Sequence, residues 1–296
     1  MAAGKYQVRS ISLPSRSHPT SVRTEQELTS LKSWGSSSSG SSSNEVCSLL
    51  AGLEEAYKCA DELVSMQSAC EIKRRAIDSW FDGSVKLLDV CSSSRETMLM
   101  AKGHVQDIQS AMRRRSKGDS SIQKTISGYL SFRKQMTKSA TKMIALLKQM
   151  NHASATTSSL DDDSSRLIKV LRDVTEVTVS VFESLLTFLA APSCAAKTSN
   201  KWSMVSRLMM TKRAAVRDDK AVNEFACVDA VMFKSGSSQV SPFLASAQVV
   251  LERLEALEVA IRGIDDRLGS MFMCLVTLRV SLLNRMSTFQ TQVPMH

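Results

Sequence analysis

Aromatic side chains are scarce in this chain of 296 residues, which has three tryptophans, three tyrosines and nine phenylalanines. Proteins that bind single-stranded nucleic acids stack the bases on aromatic side chains, so the scarcity argues against that class. Glycine and proline are also few, at 11 and five residues. An all-β fold needs many turns, which are rich in these two residues, and the composition therefore favours helices.

Sequence motifs of catalytic and metal sites are missing as well. The seven cysteines include no CxxC pair, and the chain has no HExxH, GxSxG, P-loop or dinucleotide-binding glycine pattern. A site assembled from distant residues leaves no such motif, so an enzyme stays open only in that form. We predict no catalytic, metal or cofactor-binding residue, and we expect reduced cysteine thiols that mostly fill the core.

Long uncharged apolar runs are absent too. The nearest approach to a membrane span, residues 174–191, is interrupted by Glu176 and Glu183, so no spanning helix is predicted. The first six residues lack the apolar run of a secretory signal. We therefore expect an intracellular, cytoplasmic protein, and a peripheral membrane or nuclear location stays open.

Apolar side chains that recur every three or four residues are the main feature that the chain does have. Residues 167–189 are the most apolar segment of this kind, and their polar side chains keep mainly to one helical stripe. That stripe consists of Asp173, Glu176, Ser180, Glu183 and Thr187. A helix this apolar belongs at the centre of a bundle. Alternating β-branched residues at 177–181 would also fit a strand, but the helical spacing covers a much longer segment.

The same spacing predicts four further long helices, the first of which has Asn44 as its N-cap. These helices are expected over residues 44–63, 71–112, 122–150 and 247–282. We therefore predict an all-α fold, an elongated antiparallel bundle of four to five long helices. Intermolecular coiled coils are the alternative, because ten consecutive steps in the last helix alternate between three and four residues.

The predicted bundle does not include the whole chain. Residues 1–43 contain a run of serines and are expected to form a disordered N-terminal arm, with one short amphipathic stretch at 20–34 that fits a helix. Residues 44–296 are expected to form the bundle domain. Within it, residues 200–235 are predicted as an excursion of short helices, the second of them at 221–233.

The positive charge of the chain is concentrated in one predicted helical hairpin. Residues 101–150 hold eleven lysines and arginines against two acidic residues, a difference of nine that equals the net charge of the whole chain. The candidate contacts for an anionic partner are Arg113, Arg114, Arg115, Lys117, Lys134, Lys138 and Lys142. A weak contact with an anionic membrane is the best functional interpretation, with nuclear import and nucleic acid as the others. The simpler interpretation is that the arginines are cations placed at a helix C-terminus.

A second candidate site lies in the N-terminal arm, in the segment Arg9-Ser10-Ile11-Ser12-Leu13-Pro14. Arg9 stands three residues before Ser12, as kinases directed by basic residues prefer. A phosphate on Ser12 would add charge of about −1.5 to −2 and strong hydrogen-bond acceptors. The segment resembles a ligand of 14-3-3 proteins, which read phosphorylated motifs through arginine clusters. The alternative is that Ile11 and Leu13 dock the arm on the bundle.

Several motifs along the chain carry a family resemblance. They are YQVRSISLPSRSHP at 6–19, LLDVC at 87–91, QSAMRRR at 109–115, VSVFESLL at 179–186, KWS at 201–203, NEF at 223–225 and RVSLLN at 279–284. Together they resemble the plant-specific domain-of-unknown-function family two-four-one, which is related to the BYPASS proteins. The resemblance implies a helical plant protein without known enzymatic activity, whose relatives are associated with root and shoot development. It brings no catalytic residues with it.

These observations lead to two functional hypotheses. The first is a non-enzymatic plant scaffold or adaptor that binds other proteins, including 14-3-3 proteins through phosphorylated Ser12, under control of the N-terminal arm. The second is a peripheral binder of anionic membrane or nucleic acid that uses the basic hairpin at 101–150.

Overall fold

The computed structural model describes residues 19–37, 42–66, 74–114, 118–157, 166–191, 223–236 and 247–290. These residues form seven helices: α1 (Pro19–Ser37), α2 (Ser43–Met66), α3 (Arg74–Arg113), α4 (Gly118–Thr157), α5 (Arg166–Ala190), α6 (Glu224–Gly236) and α7 (Ala247–Gln290). The described part of the chain contains no strand. The predicted all-α bundle is therefore confirmed, with α2, α3, α4, α5 and α7 as its five long helices.

The longest helix, α7, packs against both α2 and α3. Its contacts with α3 run in opposite directions along the two helices: Arg279 with Ser84, Leu268 with Cys91, and Glu258 with Gln106. Its contacts with α2 run in the same direction: Arg267 with Glu54, and Arg285 with Ser65. The bundle thus combines antiparallel neighbours such as α3 and α7 with parallel neighbours, among them α2 and α7.

The apolar seam of α7 is closed within the chain. The positions predicted from the coiled-coil spacing are buried from Val250 to Leu282, and only Ala247 at the start is partly exposed. The buried apolar residues of α2, α3 and α7 belong to one continuous core cluster. The alternative of intermolecular coiled coils is therefore not needed to explain the spacing, because helices of the same chain cover this seam.

Helix α5 lies at the centre of the bundle, as predicted from the apolar side chains that surround most of its circumference. It packs against α1, α2, α3 and α4. Fourteen of its 25 residues are buried, and the predicted polar stripe from Asp173 to Thr187 is the side left partly or fully exposed. The β-branched segment at 177–181 is helical, so the strand interpretation is wrong. Burial on several sides outweighs the modest β-propensity of its valines.

Helix α2 begins slightly earlier than predicted. The Ser42 hydroxyl accepts a hydrogen bond from the backbone N–H of Glu45 at 3.3 Å, and the Ser42 carbonyl accepts one from Val46 at 3.2 Å. Ser42 is therefore the N-cap, and Glu45 stands at the position of a capping box. The assignment of Asn44 as the cap was wrong, since the end of the serine run supplies the capping hydroxyl.

The two short helices also pack on the bundle. Helix α1 confirms the short helix predicted at 20–34, and it packs against α2 and α5. The rest of the N-terminal arm, residues 1–18 and 38–41, lies outside the described residues. Helix α6 corresponds to the second predicted short helix and packs against α4 and α7. Residues 200–222 of the predicted excursion lie outside the described part.

Candidate functional site

The most polar location inside the bundle is built around Arg133 of α4. The sequence places Arg133 on the apolar stripe of α4, four residues after Tyr129, but its charge was counted with the basic hairpin. In the structure its side chain is only 5% exposed. Arginine is almost never fully buried unless it is paired. The residues that pair with Arg133 therefore show whether its role is to bind a ligand or to hold the helices together.

The partner of Arg133 is Asp229 of α6, whose side chain is only 1% exposed. The Nε atom of Arg133 donates to both carboxylate oxygens of Asp229, at 3.1 and 3.0 Å, and Nη2 donates to Oδ2 at 2.9 Å. The Tyr129 hydroxyl donates to Oδ1 at 2.8 Å. We call Arg133, Asp229 and Tyr129 the Arg133 cluster. It joins α4 to α6 through a buried ion pair with good hydrogen-bond geometry.

The same guanidinium also caps the C-terminus of α5. Nη1 of Arg133 donates to the carbonyl of Leu189 at 2.9 Å, and Nη2 donates to the carbonyl of Ala191 at 3.2 Å. The last carbonyls of a helix have no partner within the helix and carry partial negative charge, so a cation is favourable there. The Phe225 ring of α6 covers the guanidinium at 4.7 Å from the ring centroid.

Helix α6 is held by further polar contacts at its own N-terminus. The Asn223 side chain donates to the carbonyl of Phe188 at 2.8 Å and accepts from the backbone N–H of Ala226 at 3.0 Å, which makes it the N-cap of α6. The Glu224 carboxylate accepts from the backbone N–H of Ser43 at 3.2 Å and from the Ser43 hydroxyl. A carboxylate at the start of α2 suits the positive end of that helix. Helix α6 thus connects the ends of α2 and α5.

The guanidinium of Arg133 has no N–H donor left for a ligand. A guanidinium has five N–H donors, and those of Arg133 point to Asp229, Leu189, Ala191 and the sulfur of Met136. Burial, followed by the negative charge of Asp229, raises the pKa of Tyr129 well above its ordinary value. Tyr129 therefore keeps the proton that it donates. The arrangement positions helices, and its chemistry is structural.

The predicted basic patch is divided into two regions in the structure. Arg113 and Arg114 are exposed at the end of α3, where Arg113 lies 3.8 Å from Glu255 of α7 and Arg114 donates to the carbonyl of Ser110. Arg115 and Lys117 lie outside the described residues. Lys134 is about 16 residues beyond the start of α4, which is about 24 Å along the helix axis. Among the described residues, Arg113 and Arg114 therefore do not form one patch with the lysines of α4.

The second region is a row of exposed lysines on α4. Lys134, Lys138 and Lys142 follow one another at four-residue spacing, so they lie on the same side of the helix, and all three are exposed. We call these three residues the lysine face. Within the described residues none of the three forms an ion pair. The only acidic residue of α4 is Asp119 in its first turn, so the lysine face has no carboxylate on its own helix nearby.

The other sequence hypotheses can be placed only in part. The phosphorylation motif with Arg9, Ser10, Ser12 and Pro14 lies outside the described residues. Of the cysteines that the structure describes, all are free thiols, with Cys59 and Cys91 buried. Among the described residues there is no group of His, Cys, Asp and Glu that could hold a metal ion. None of the described helices is long and apolar enough to cross a membrane.

The sequence reasoning missed Asp229 and misplaced Arg133. A signal was present for both residues, because each interrupts an apolar stripe that is otherwise regular. Arg133 stands between Tyr129 and Met136, and Asp229 stands between Phe225 and Met232. Two opposite charges on two predicted core faces would have indicated a buried pair, although the 96 residues between them hide the pairing from any local pattern.

The described residues thus define an all-helical bundle protein whose internal polar groups fix the positions of its helices. The chain belongs to the family described as Protein BPS1, whose model matches residues 49–284, most of the chain. This match confirms the resemblance to the BYPASS-related family. No curated protein and no solved structure matches the chain.

Proposed function

We propose that this protein is a non-enzymatic adaptor in plant development, which acts by presenting helical surfaces to other macromolecules. Membership of the BPS1 family supports the developmental role that the resemblance implies. The interior supports the mode of action, because the buried apolar residues form one core cluster and the Arg133 cluster inside it is fully hydrogen-bonded. Such a bundle interacts through its outer faces.

The lysine face is the outer surface that carries this proposal furthest. Lys134, Lys138 and Lys142 are spaced about 6 Å apart along the helix axis and project from one side of α4. Lys124 and Lys148, on the same helix, are also exposed. A row of cations with no carboxylate nearby on its own helix creates a local positive potential that attracts an anionic surface.

An anionic membrane is the partner that this geometry favours. A straight row of lysines matches a flat layer of headgroups, and the next position in the row, Leu146, is an exposed apolar side chain. Each lysine near an anionic bilayer contributes about 1 kcal/mol. Three lysines therefore contribute about 3 kcal/mol, which is roughly a hundredfold in affinity. Binding of this size is peripheral and reversible.

Vesicle sedimentation tests the proposal. The full chain is mixed with phosphatidylcholine vesicles that contain or lack phosphatidylserine, at low and high salt. We expect binding that requires phosphatidylserine, weakens as salt rises and drops strongly in the triple variant Lys134→Gln/Lys138→Gln/Lys142→Gln. The matched control removes three exposed lysines elsewhere, Lys58, Lys86 and Lys169, and should bind nearly as well as the wild type.

Three results would contradict this assignment. Equal binding to vesicles with and without phosphatidylserine would exclude an electrostatic role for the lysine face. Equal losses in the two triple variants would show that only the total charge matters. A preference for duplex DNA over anionic vesicles in competition would assign the lysine face to nucleic acid instead.

Phosphorylation of the N-terminal arm is the second candidate, and the position of α1 favours it. Helix α1 begins at Pro19, a few residues after Ser12, so a partner bound at Ser12 would act next to the bundle. The test compares a Ser12-phosphorylated peptide of residues 5–19 with the unphosphorylated peptide for binding to a 14-3-3 protein. Equal affinity of the two peptides would reject it. Affinity purification from plant cells with wild type and Ser12→Ala then identifies the phosphorylation-dependent partners.

A further inference from the structure

Helix α1 lies on a groove between α2 and α5, and the part of it whose side chains the structure describes, residues 23–33, buries few apolar side chains. Over residues 23–33 the buried side chains are Thr24, Leu28 and Leu31, while most of the others are exposed. A helix of this length that is stable within a bundle normally buries a continuous apolar stripe. Segments with few buried apolar contacts open locally before the rest of the protein unfolds.

Gly52 of α2 forms the floor of this groove. A Cβ atom built on Gly52 would lie 2.5 Å from Cδ2 of Leu31, which is closer than any van der Waals contact. Leu31 therefore occupies the space that a side chain at position 52 would fill. The groove accepts a leucine at this point because α2 has a glycine there.

The rim of the groove is mostly acidic. The ion pairs across it are Arg23 with Glu55, Lys32 with Asp173 at 3.1 Å, Lys32 with Glu176 at 2.8 Å, and Glu25 with Arg166 at 4.0 Å. Three of these four pairs place a cation of α1 on a carboxylate of α2 or α5. The side chains of Arg23 and Lys32 are 55% and 42% exposed, so solvent and salt screen these pairs strongly.

Helices α2 and α5 also contact each other directly. The Thr178 hydroxyl of α5 donates to the carbonyl of Val174 at 2.6 Å, so the 3.0 Å contact with Tyr57 of α2 has the Tyr57 hydroxyl as donor. This buried hydrogen bond and the surrounding apolar contacts join α2 to α5 directly. Gly52, Glu55, Asp173 and Glu176 lie within the residues that the BPS1 family model matches, whereas α1 precedes them.

We propose that α1 is a displaceable occupant of this groove and that the groove binds an amphipathic helix of a partner protein in its place. The partner helix would carry two leucines three residues apart, as Leu28 and Leu31 are, and a basic residue directly after the second, as Lys32 is. Apolar anchors in a helical groove are a common mode of peptide recognition. The acidic rim selects a basic helix over an acidic one. This inference does not rest on the lysine face, which belongs to α4.

Occupation in cis reduces the apparent affinity for a helix in trans. A partner binds only the fraction of molecules in which α1 has left the groove, so its apparent dissociation constant rises as that fraction falls. Weakening the attachment of α1 should therefore strengthen binding of the partner. Residues 1–18 of the N-terminal arm directly precede α1 in the sequence, so an event on them can shift the same equilibrium.

The test uses a fluorescent peptide of residues 19–37 as the partner helix and measures its anisotropy with the full chain. The variant Leu28→Ser/Leu31→Ser removes the apolar anchors of α1, so that α1 leaves the groove of its own chain; we call it the released variant. We expect the peptide to bind this variant at least about tenfold more tightly than it binds the wild type. Adding Gly52→Val should abolish this binding, because the new side chain takes the place of Leu31. The three atoms nearest to a Cβ at position 52 all belong to Leu31, so the variant without Leu31 has lost these neighbours in cis.

Two controls define the specificity of the effect. The variant Gln26→Ser/Thr29→Ser changes the exposed side of α1 and should bind the peptide as weakly as the wild type. A peptide with serine at positions 28 and 31 should not bind the released variant. If the released variant binds no more tightly than the wild type, or if Gly52→Val does not change its binding, the proposal is wrong.

Hydrogen exchange of the wild-type chain gives a second test that needs no variant. We expect the amides of α1 to exchange at least about tenfold faster than those of α2 and α5, because α1 opens locally. Exchange of α1 as slow as that of α5 would show that it leaves the groove only on global unfolding and would overturn the proposal. Vesicle binding by the lysine face should be the same in all of these variants, so the two proposals fail independently.

Discussion

Breaking the Arg133 cluster from either side should destabilise the protein strongly. Replacing Asp229 with leucine leaves a buried guanidinium whose remaining acceptors are the carbonyls of Leu189 and Ala191 and the sulfur of Met136, none of which is charged. Replacing Arg133 with methionine leaves a buried carboxylate whose remaining partner is the Tyr129 hydroxyl. Removing one partner of a buried ion pair costs about 3–5 kcal/mol. That is a large part of the roughly 5–15 kcal/mol that stabilises a typical protein.

The double variant separates the pair from its surroundings. With both charges replaced by apolar side chains of similar size, no unpaired charge stays buried. The carbonyls of Leu189 and Ala191 still lose their donor, which costs about 1–3 kcal/mol for each buried group. The double variant Arg133→Met/Asp229→Leu should therefore be clearly more stable than the sum of the single losses predicts, with a coupling free energy of about 3 kcal/mol or more.

Urea denaturation followed by far-ultraviolet circular dichroism measures these losses. Lys134→Met is the matched control, because Lys134 is the next residue on α4 and is exposed, so its replacement should change the stability by less than about 0.5 kcal/mol. Hydrogen exchange should show faster exchange in α6 for each single variant. The assignment is refuted if the single losses add up in the double variant, or if Arg133→Met costs no more than Lys134→Met.

Three further outcomes follow from single positions. Gly103→Ala on the exposed side of α3, where nothing lies within 4 Å of the new Cβ, should raise the free energy of unfolding by about 1 kcal/mol in urea denaturation. Burial raises the pKa of the Cys91 thiol to about 12, so iodoacetamide should label Cys91 only after unfolding, as peptide mass mapping would show. Hydrogen bonds from Gln106 and Gln109 lower the pKa of Glu258, so its ionised form stabilises the fold above its unfolded-state pKa, and this contribution is lost as the pH falls through the folded-state value. Glu258→Gln should therefore destabilise the protein at neutral pH and have little effect in strong acid, which denaturation at the two pH values would measure.

The sequence was sufficient to predict the bundle because burial follows a repeating pattern. In α3 the predicted positions from Ile77 to Met112 are all buried, and in α7 nearly all of the predicted seam is buried. A helix that packs along its whole length needs an apolar side chain at every third or fourth residue. Each such position therefore strengthens the prediction that is made from the others. The Ser42 cap was missed because several adjacent polar residues could serve as an N-cap, and only the backbone geometry selects one of them.

The polar interior could not be predicted in the same way, since it depends on pairs. Arg133 and Lys134 are neighbours in the same basic segment, but one is buried and the other is exposed. Successive residues of a helix differ by about 100° in direction. A charge count over a window of sequence therefore adds buried and exposed charges together. The buried member becomes recognisable only with Asp229, which the chain supplies 96 residues later.

The two short helices are attached to the bundle in different ways, which is the basis for our proposal that one is fixed and the other exchangeable. Helix α6 is held by the buried ion pair of Asp229, by the Glu224 contact with α2 and by the apolar side chains of Phe225, Val228 and Met232. A buried ion pair resists separation, because moving α6 away from α4 would leave each charge without its partner. Over residues 23–33, where the structure describes its side chains, helix α1 has two buried leucines and ion pairs at the surface, which lose little when solvent replaces them. Both short helices pack beside long helices, so the difference in how firmly they are attached lies in their side chains. The adaptor role that we propose requires a weakly attached helix such as α1 at the place where a partner binds.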